Sequence, residues 1–129
     1  MPAIPSSYHD LLIAPNTAVF TTLQSDGSPN SSPVWFWFDG DTVLVSTLSD
    51  RSKHRNVQRD SRVSFTVVDP GRPLRYIEIR ATVTIEDDPG AALRDRIAVK
   101  HGYDDGSKFD PPGAARVGLR LHPTRIIEH

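Results

Sequence analysis

The densest run of side chains able to do chemistry is Ser46-Thr47-Leu48-Ser49-Asp50-Arg51-Ser52-Lys53-His54-Arg55-Asn56. Arg51, Lys53, Arg55 and Arg59 crowd into one short segment of a chain whose formal net charge is -1. Ser49 or Asp50 is suited to cap a helix opening near Arg51. Cations at a helix start oppose the helix dipole unless an anion sits there. Free N–H groups, hydroxyls and bases converging on one point suit a phosphate. The plainer alternative is a solvated basic helix face.

Little else in the chain offers chemistry of its own. His9, His54, His101, His122 and His129 have no spacing suited to a metal, and there are no cysteines to complete a site, so no metal is expected. Asp87-Asp88 and Asp104-Asp105 read as turn and cap formers. Ser31-Ser32 has no evident base partner, and there is no G-x-S-x-G elbow. The glycine signatures of Rossmann and P-loop nucleotide sites are both missing. What remains is binding, or chemistry carried by an organic cofactor.

The scaffold for such a site has 129 residues, and a single domain over 1–129 is expected. With 37% hydrophobic residues the core is modest, and burial is expected to continue across a subunit interface. The absence of cysteine, of a signal-peptide pattern at the N-terminus and of any apolar run long enough for a membrane span gives a cytoplasmic expectation with no membrane partner. Near-neutral charge argues against nucleic acid as a partner.

Along the chain, residues 6–14 read as a short helix capped by Ser6 or Ser7, with Leu11, Leu12 and Ile13 as its apolar face. Strands are expected over 18–23, 30–38 and 42–47, joined by Asp-Gly turns at Asp26-Gly27 and Asp39-Gly40. In Val34-Trp35-Phe36-Trp37-Phe38, alternation sends Val34, Phe36 and Phe38 to one face and both Trp residues to the other. Both faces are apolar, so one should line the core and the other be covered by a helix, a second subunit or a flat ligand. Further strands are expected over 62–68 and 74–85, then a helix from about Gly90 to Lys100 led by Asp87-Asp88-Pro89. Residues 102–115 read as a polar loop, the most mobile segment expected. A final strand over 116–127 should be interrupted at His122-Pro123. The fold class is therefore mainly β with short helices, a small six- to seven-stranded antiparallel barrel, closed or partly closed.

Taken in order, Asp26-Gly27-Ser28-Pro29, Pro33-Val34-Trp35-Phe36, Asp39-Gly40-Asp41, Thr47, Arg51-x-Lys53-x-Arg55-Asn56, Arg59-Asp60-Ser61-Arg62-Val63, Val68-Asp69-Pro70 and Arg75-Tyr76 carry a resemblance. The chain resembles the pyridoxamine-5′-phosphate-oxidase-like superfamily of split β-barrel flavin and deazaflavin oxidoreductases, and within it the F420-dependent branch. The similarity covers roughly residues 6–127. It implies an FMN-binding-type split barrel that is homodimeric, with cofactor sites at the interface. It further implies that Ser46, Thr47, Arg51 and Lys53 hold the cofactor phosphate, supported by Arg55 and Asn56. Asn30, Ser31, Ser32, Pro33 and Val34 would run along the tricyclic ring, and Leu74, Arg75 and Tyr76 would approach the ring, from the partner subunit if not their own. One departure is Ala81, where the family usually has glycine after the Arg of the long strand.

The function this implies is hydride transfer from reduced coenzyme F420 to a small electron-poor substrate. FMN is the alternative cofactor. A non-catalytic carrier of F420, flavin or haem is a rival from another class. No residue is assigned a catalytic role. Tyr76, Arg75 and His54 are candidates to protonate the product, against plainer roles as an interface aromatic, a surface charge and a solvated helix residue.

Overall fold

A computed structural model describes residues 1–129. In it, α1 (His9–Ile13) follows a single 3-10 turn at Ser6–Tyr8, and β1 (Ala18–Leu23), β2 (Pro29–Val34), β3 (Trp37–Phe38) and β4 (Val43–Leu48) precede α2 (Ser52–Arg59). Then come β5 (Arg62–Val68), β6 (Tyr76–Asp87), α3 (Ala92–Lys100) and β7 (Arg116–Glu128). All seven strands join one antiparallel sheet in the order β2-β1-β5-β6-β7-β4-β3. β2 is one edge and β4 lies beside β3, the opposite edge, yet residues of β2 and β4 line one cavity. The sheet is therefore curled into a half-barrel, the split-barrel architecture the sequence led us to expect. No helix is long and apolar enough to cross a membrane.

Alternation supplies the core. On β6, Ile77, Ile79, Ala81 and Val83 are buried while Arg80, Thr82 and Thr84 face solvent. They meet Phe20, Phe36, Phe65, Leu119 and Leu121, all essentially inaccessible, inside the curl. Phe36 and Phe65 pack edge to face with centroids 4.9 Å apart.

Four expectations are corrected. The strand expected over 30–38 is two strands. The chain leaves the ladder at Val34, crosses between opposite sheet edges through Trp35-Phe36, and rejoins as β3 against β4. A crossing is feasible because Lys100 Nζ, 3.1 Å away, donates to the Phe36 carbonyl that a ladder would have satisfied. Val34 and Phe36 still point inward, whereas Phe38 is only partly buried. The Trp residues are covered by their own chain: Trp35 stacks on His101 (centroids 3.9 Å, planes 6° apart) with Tyr103 and Phe109 beside it, and the Arg96 guanidinium lies over Trp37.

The second correction is at α2, which has Arg51 as its extended N-cap and no capping side chain from Ser49 or Asp50. Ser49 N–H is taken instead by the Ala115 carbonyl, and the Ser49 carbonyl accepts His54 Nδ1–H at 2.7 Å. Likewise neither Ser6 nor Ser7 caps α1, and Ile13, assigned to its apolar face, is 66% exposed while Leu11 and Leu12 are buried. At about 3.6 residues per turn, three consecutive side chains fan over more than half the helix circumference, too wide for one face. Finally, β7 runs through His122-Pro123 without a break, because Pro123, which has no N–H, sits at a register shift opposite Arg80/Ala81. Ala81 is 3% exposed there. The acidic lead of α3 behaves as expected, Asp88 accepting the Leu93 and Arg94 N–H groups at 3.0 and 3.3 Å.

Candidate functional site

Two adjoining cavities, of about 490 and 420 Å³, share Ser46, Lys53, Phe109 and Arg116 and so form one cleft. The larger part is walled by Pro33, Val34, Trp35, Ile97 and Ala98, with Thr17 and Arg94 at its margins. The smaller is polar, lined by Asn30, Ser32, Thr47, Leu48, Arg51 and Ser52. β2 and the Trp35 crossing give one wall, β4 and the start of α2 the basic end, and α3 the apolar floor. Phe109, 45% exposed, stands on the rim between the two parts.

The electrostatics of the basic end are unbalanced. None of the ion pairs of the chain involves Arg51 or Lys53. Lys53 is half-buried, and burial first, then the charges of Arg51 and Arg116, hold its ammonium below the ordinary lysine pKa. No carboxylate lines either cavity. Three cations around a partly desolvated space define a site for an anion. The free N–H groups at the N-terminus of α2 point the same way. No group of three His, Cys, Asp or Glu side chains is gathered that would hold a metal.

The residues singled out by sequence divide cleanly. Asn30, Ser32, Pro33, Val34, Ser46, Thr47, Arg51 and Lys53 all line the cleft. Ser31, out of phase with Asn30 and Ser32 on β2, turns away to share a 2.8 Å hydrogen bond with Thr21. Arg55 donates to the Asp50 carbonyl. Asn56, 6% exposed, donates to Thr22 Oγ1 at 2.9 Å and accepts from Arg59, which fastens α2 to β1. His54 is buried on the Ser49 carbonyl.

Leu74, Arg75 and Tyr76 lie elsewhere. Leu74 is 83% exposed, and with Arg75 it borders a separate, open cavity beside Tyr8, Arg72 and His129. Both Nη groups of Arg75 are engaged, by Asp10, Asp69 and the Ser7 carbonyl, and the two carboxylates, Asp10 first, raise its pKa further. Tyr76 exchanges both backbone hydrogen bonds with His129.

Several cleft residues escaped sequence reasoning: Arg94, Phe109 and Arg116, with Asp110 behind them. Asp110, its side chain 6% exposed, accepts from Arg94 at 2.7 Å and from Arg116 through Nε and Nη2. Both guanidiniums hold its carboxyl below the usual range. The loop read as mobile is thus anchored at the cleft. An acid ahead of Pro111-Pro112 and an Arg opening a strand are the only local signals, and neither is specific. His101, stacked on Trp35, has a buried Nε2 without a partner, and burial, then the charge of Lys100, pulls its pKa down.

Residues 4–129 match the family described as pyridoxamine 5′-phosphate oxidase. Among solved structures, an F420 reductase superposes with a TM-score of 0.84 at 31% identity, covering 96% of this chain and 98% of that one. A conserved hypothetical protein from Mycobacterium tuberculosis superposes at 0.78 and 24% identity, covering 98% of this chain and 85% of its own. General Stress Protein 26 from Bacillus anthracis gives 0.69 at 21% identity, with 93% and 88% covered. These last two share the fold. No curated protein sequence matches the chain.

Proposed function

We propose, on the premise that this chain belongs to the pyridoxamine 5′-phosphate oxidase family of split-barrel flavin and deazaflavin oxidoreductases, that it is a reductase working with reduced coenzyme F420. The observation that carries the reading is the cleft itself, an apolar space of about 490 Å³ opening into a basic end where Arg51 and Lys53 have no acid partner. A planar ring joined to a phosphate has that distribution of properties. When bound, F420 supplies a hydride from C5 of its deazaflavin ring. The F420 reductase at 31% identity is what favours this cofactor over FMN. FMN, which also joins a tricycle to a phosphate, is the second reading.

The chain's own residues would hold and orient. Arg51 and Lys53 would neutralise the phosphate, with the Ser46 and Thr47 hydroxyls beside them. Pro33, Val34 and Trp35 on one side and Ile97 and Ala98 on the other would confine the ring and exclude water. Positioning of this kind can contribute about 7–11 kcal/mol of barrier lowering without a catalytic side chain. The substrate would be a small electron-poor organic molecule. We further propose a homodimer, in which Leu74, Arg75 and Tyr76 of one protomer approach the cleft of its partner. Val19 and Val68, 47% and 44% exposed and turned outward on neighbouring strands, give an apolar face for the contact.

The test is spectroscopic titration of the purified protein with F420, FMN and haem. Binding of F420 with hydride transfer to an acceptor is expected. Tight FMN binding without F420 binding would overturn the choice of cofactor, and binding without turnover of any acceptor would make the protein a carrier.

A further inference from the structure

Arg116 enters the cleft with one edge of its guanidinium already engaged. Nε lies 3.1 Å from both oxygens of Asp110, and Nη2 bonds Oδ1. The Asp110 carboxylate is itself 6% exposed and fixed from behind by Arg94 Nη1 at 2.7 Å. The remaining edge, Nη1, makes a single long contact of 3.4 Å to Ser46 Oγ. Arg116 borders both parts of the cleft together with Lys53 and with Ser46, the residue that Nη1 approaches. A guanidinium presents five donors in one rigid plane, so fixing one edge fixes the direction of the other. Arg94 is also paired with Asp95 through Nε and Nη2, so Asp95 and Asp110 together balance the two arginines. What Arg116 adds to the unpaired charges of Arg51 and Lys53 is a directed donor edge. Asp110 therefore orients Arg116 while leaving Nη1 to face the cleft's ligand.

We propose that Arg116 is a binding residue for the anionic group of the cleft's ligand, meeting it through Nη1 together with Lys53. Asp110 is a positioning residue that acts only through Arg116. This rests on the reading of the cleft as the seat of a phosphate-bearing cofactor and adds two residues to it, neither of which lies in the basic segment of α2. The chemistry recognised is a phosphate-type oxyanion with room for a bidentate partner. The consequence is that the loop between α3 and β7 helps set where the anion sits, and with it where the ring lies.

The probes are F420 and FMN, each compared with its phosphate-free counterpart (the dephosphorylated deazaflavin and riboflavin), titrated by fluorescence into wild type, R116M, R116K, D110N and R116M/D110N. R116M should weaken the phosphate-bearing probe about ten- to a hundredfold and leave its phosphate-free counterpart within about twofold. R116K should recover part of the loss, because an ammonium restores charge but not a fixed edge. D110N should weaken the phosphate-bearing probe in the wild-type background and have no further effect in R116M. Unchanged affinity in R116M, where K53A weakens binding, overturns the role of Arg116 and spares the cofactor reading. Equal losses for both members of a probe pair in R116M and R116K mark Arg116 as structural and overturn it too. A D110N effect of the same size in both backgrounds overturns the positioning role. Failure of wild type to bind either F420 or FMN overturns the cofactor reading, and this inference falls with it.

Discussion

Lys53 is the side chain on which the anion site turns. A half-buried ammonium facing two guanidiniums and no carboxylate is destabilised in its charged form, and a bound phosphate reverses the sign of that environment. Replacing Arg51 and Lys53 together by Ala should weaken F420 binding by about 1.5–3 kcal/mol for each charge-assisted bond removed, measured by titration. Unchanged affinity in the double variant would end the phosphate assignment. The pH dependence has a definite sign. The lowered pKa of the free protein means that binding an anion takes up a proton once Lys53 begins to titrate. Affinity should therefore fall as pH rises through the alkaline range below 10.5, and the fall should flatten in Lys53→Arg. At this scale the sequence was legible for residues that cluster locally. It was silent on Arg116 and Asp110, which reach the cleft from a segment more than fifty residues downstream in the chain.

Helices and strands decide which of the clustered residues can serve. On α2, Lys53 faces the cleft while Asn56 turns under the helix to Thr22. The two were grouped by sequence because both belong to the same basic run, and at i and i+3 they are neighbours on α2, but packing against β1 takes Asn56 to Thr22 and leaves Lys53 to the cleft. Asn56→Ala should cost about 1–3 kcal/mol by stranding a buried hydroxyl, read by chemical denaturation. α3 is tied to the crossing strand by Lys100, which donates to the Leu12 and Phe36 carbonyls, and burial pulls its pKa to about 8. The folded state thus holds fewer protons than the unfolded state between about pH 8 and the ordinary lysine value of 10.5. Stability from this group should rise with pH across that window, with the burial penalty present in full below it. Lys100→Met should remove that rise in denaturation midpoints measured across the window. The crossing at Trp35-Phe36 explains why a run that alternates like one strand is two. The alternation reports burial, and burial here is served by a bridge between opposite sheet edges as well as by a ladder.

For the whole molecule, the open question of assembly has a direct measurement. The apolar outward residues Val19 and Val68, and Leu74 standing in solvent beside Arg75, lead us to expect a dimer in sedimentation at micromolar concentration. A monomer under those conditions would remove the partner's role for Leu74, Arg75 and Tyr76, since within one chain Leu74 and Arg75 border a different cavity and Tyr76 is paired with His129. The aromatic strand that first pointed to a second subunit no longer does so, because Trp35 and Trp37 are covered by α3 and the loop after it.

By itself, the sequence determined the elements and the charge of the site. Apolar residues at a spacing of two, Asp-Gly turns and a basic run after a buried strand are local facts, and local physics reads them directly. The family resemblance rested on their order. The curl of the sheet was decided by tertiary structure alone, since it brings β2, at one edge, and β4, next to the other edge, to one cavity. The same long-range packing pinned Asp110 between Arg94 and Arg116 and converted an unremarkable polar loop into a wall of the cleft. Neither could be read from spacing, because each depends on contacts between segments whose separation along the chain says nothing about their distance in space. The basic stretch from Ser46 to Asn56 marked the basic end of the cleft; the fold supplied Arg116 and the apolar space beside it.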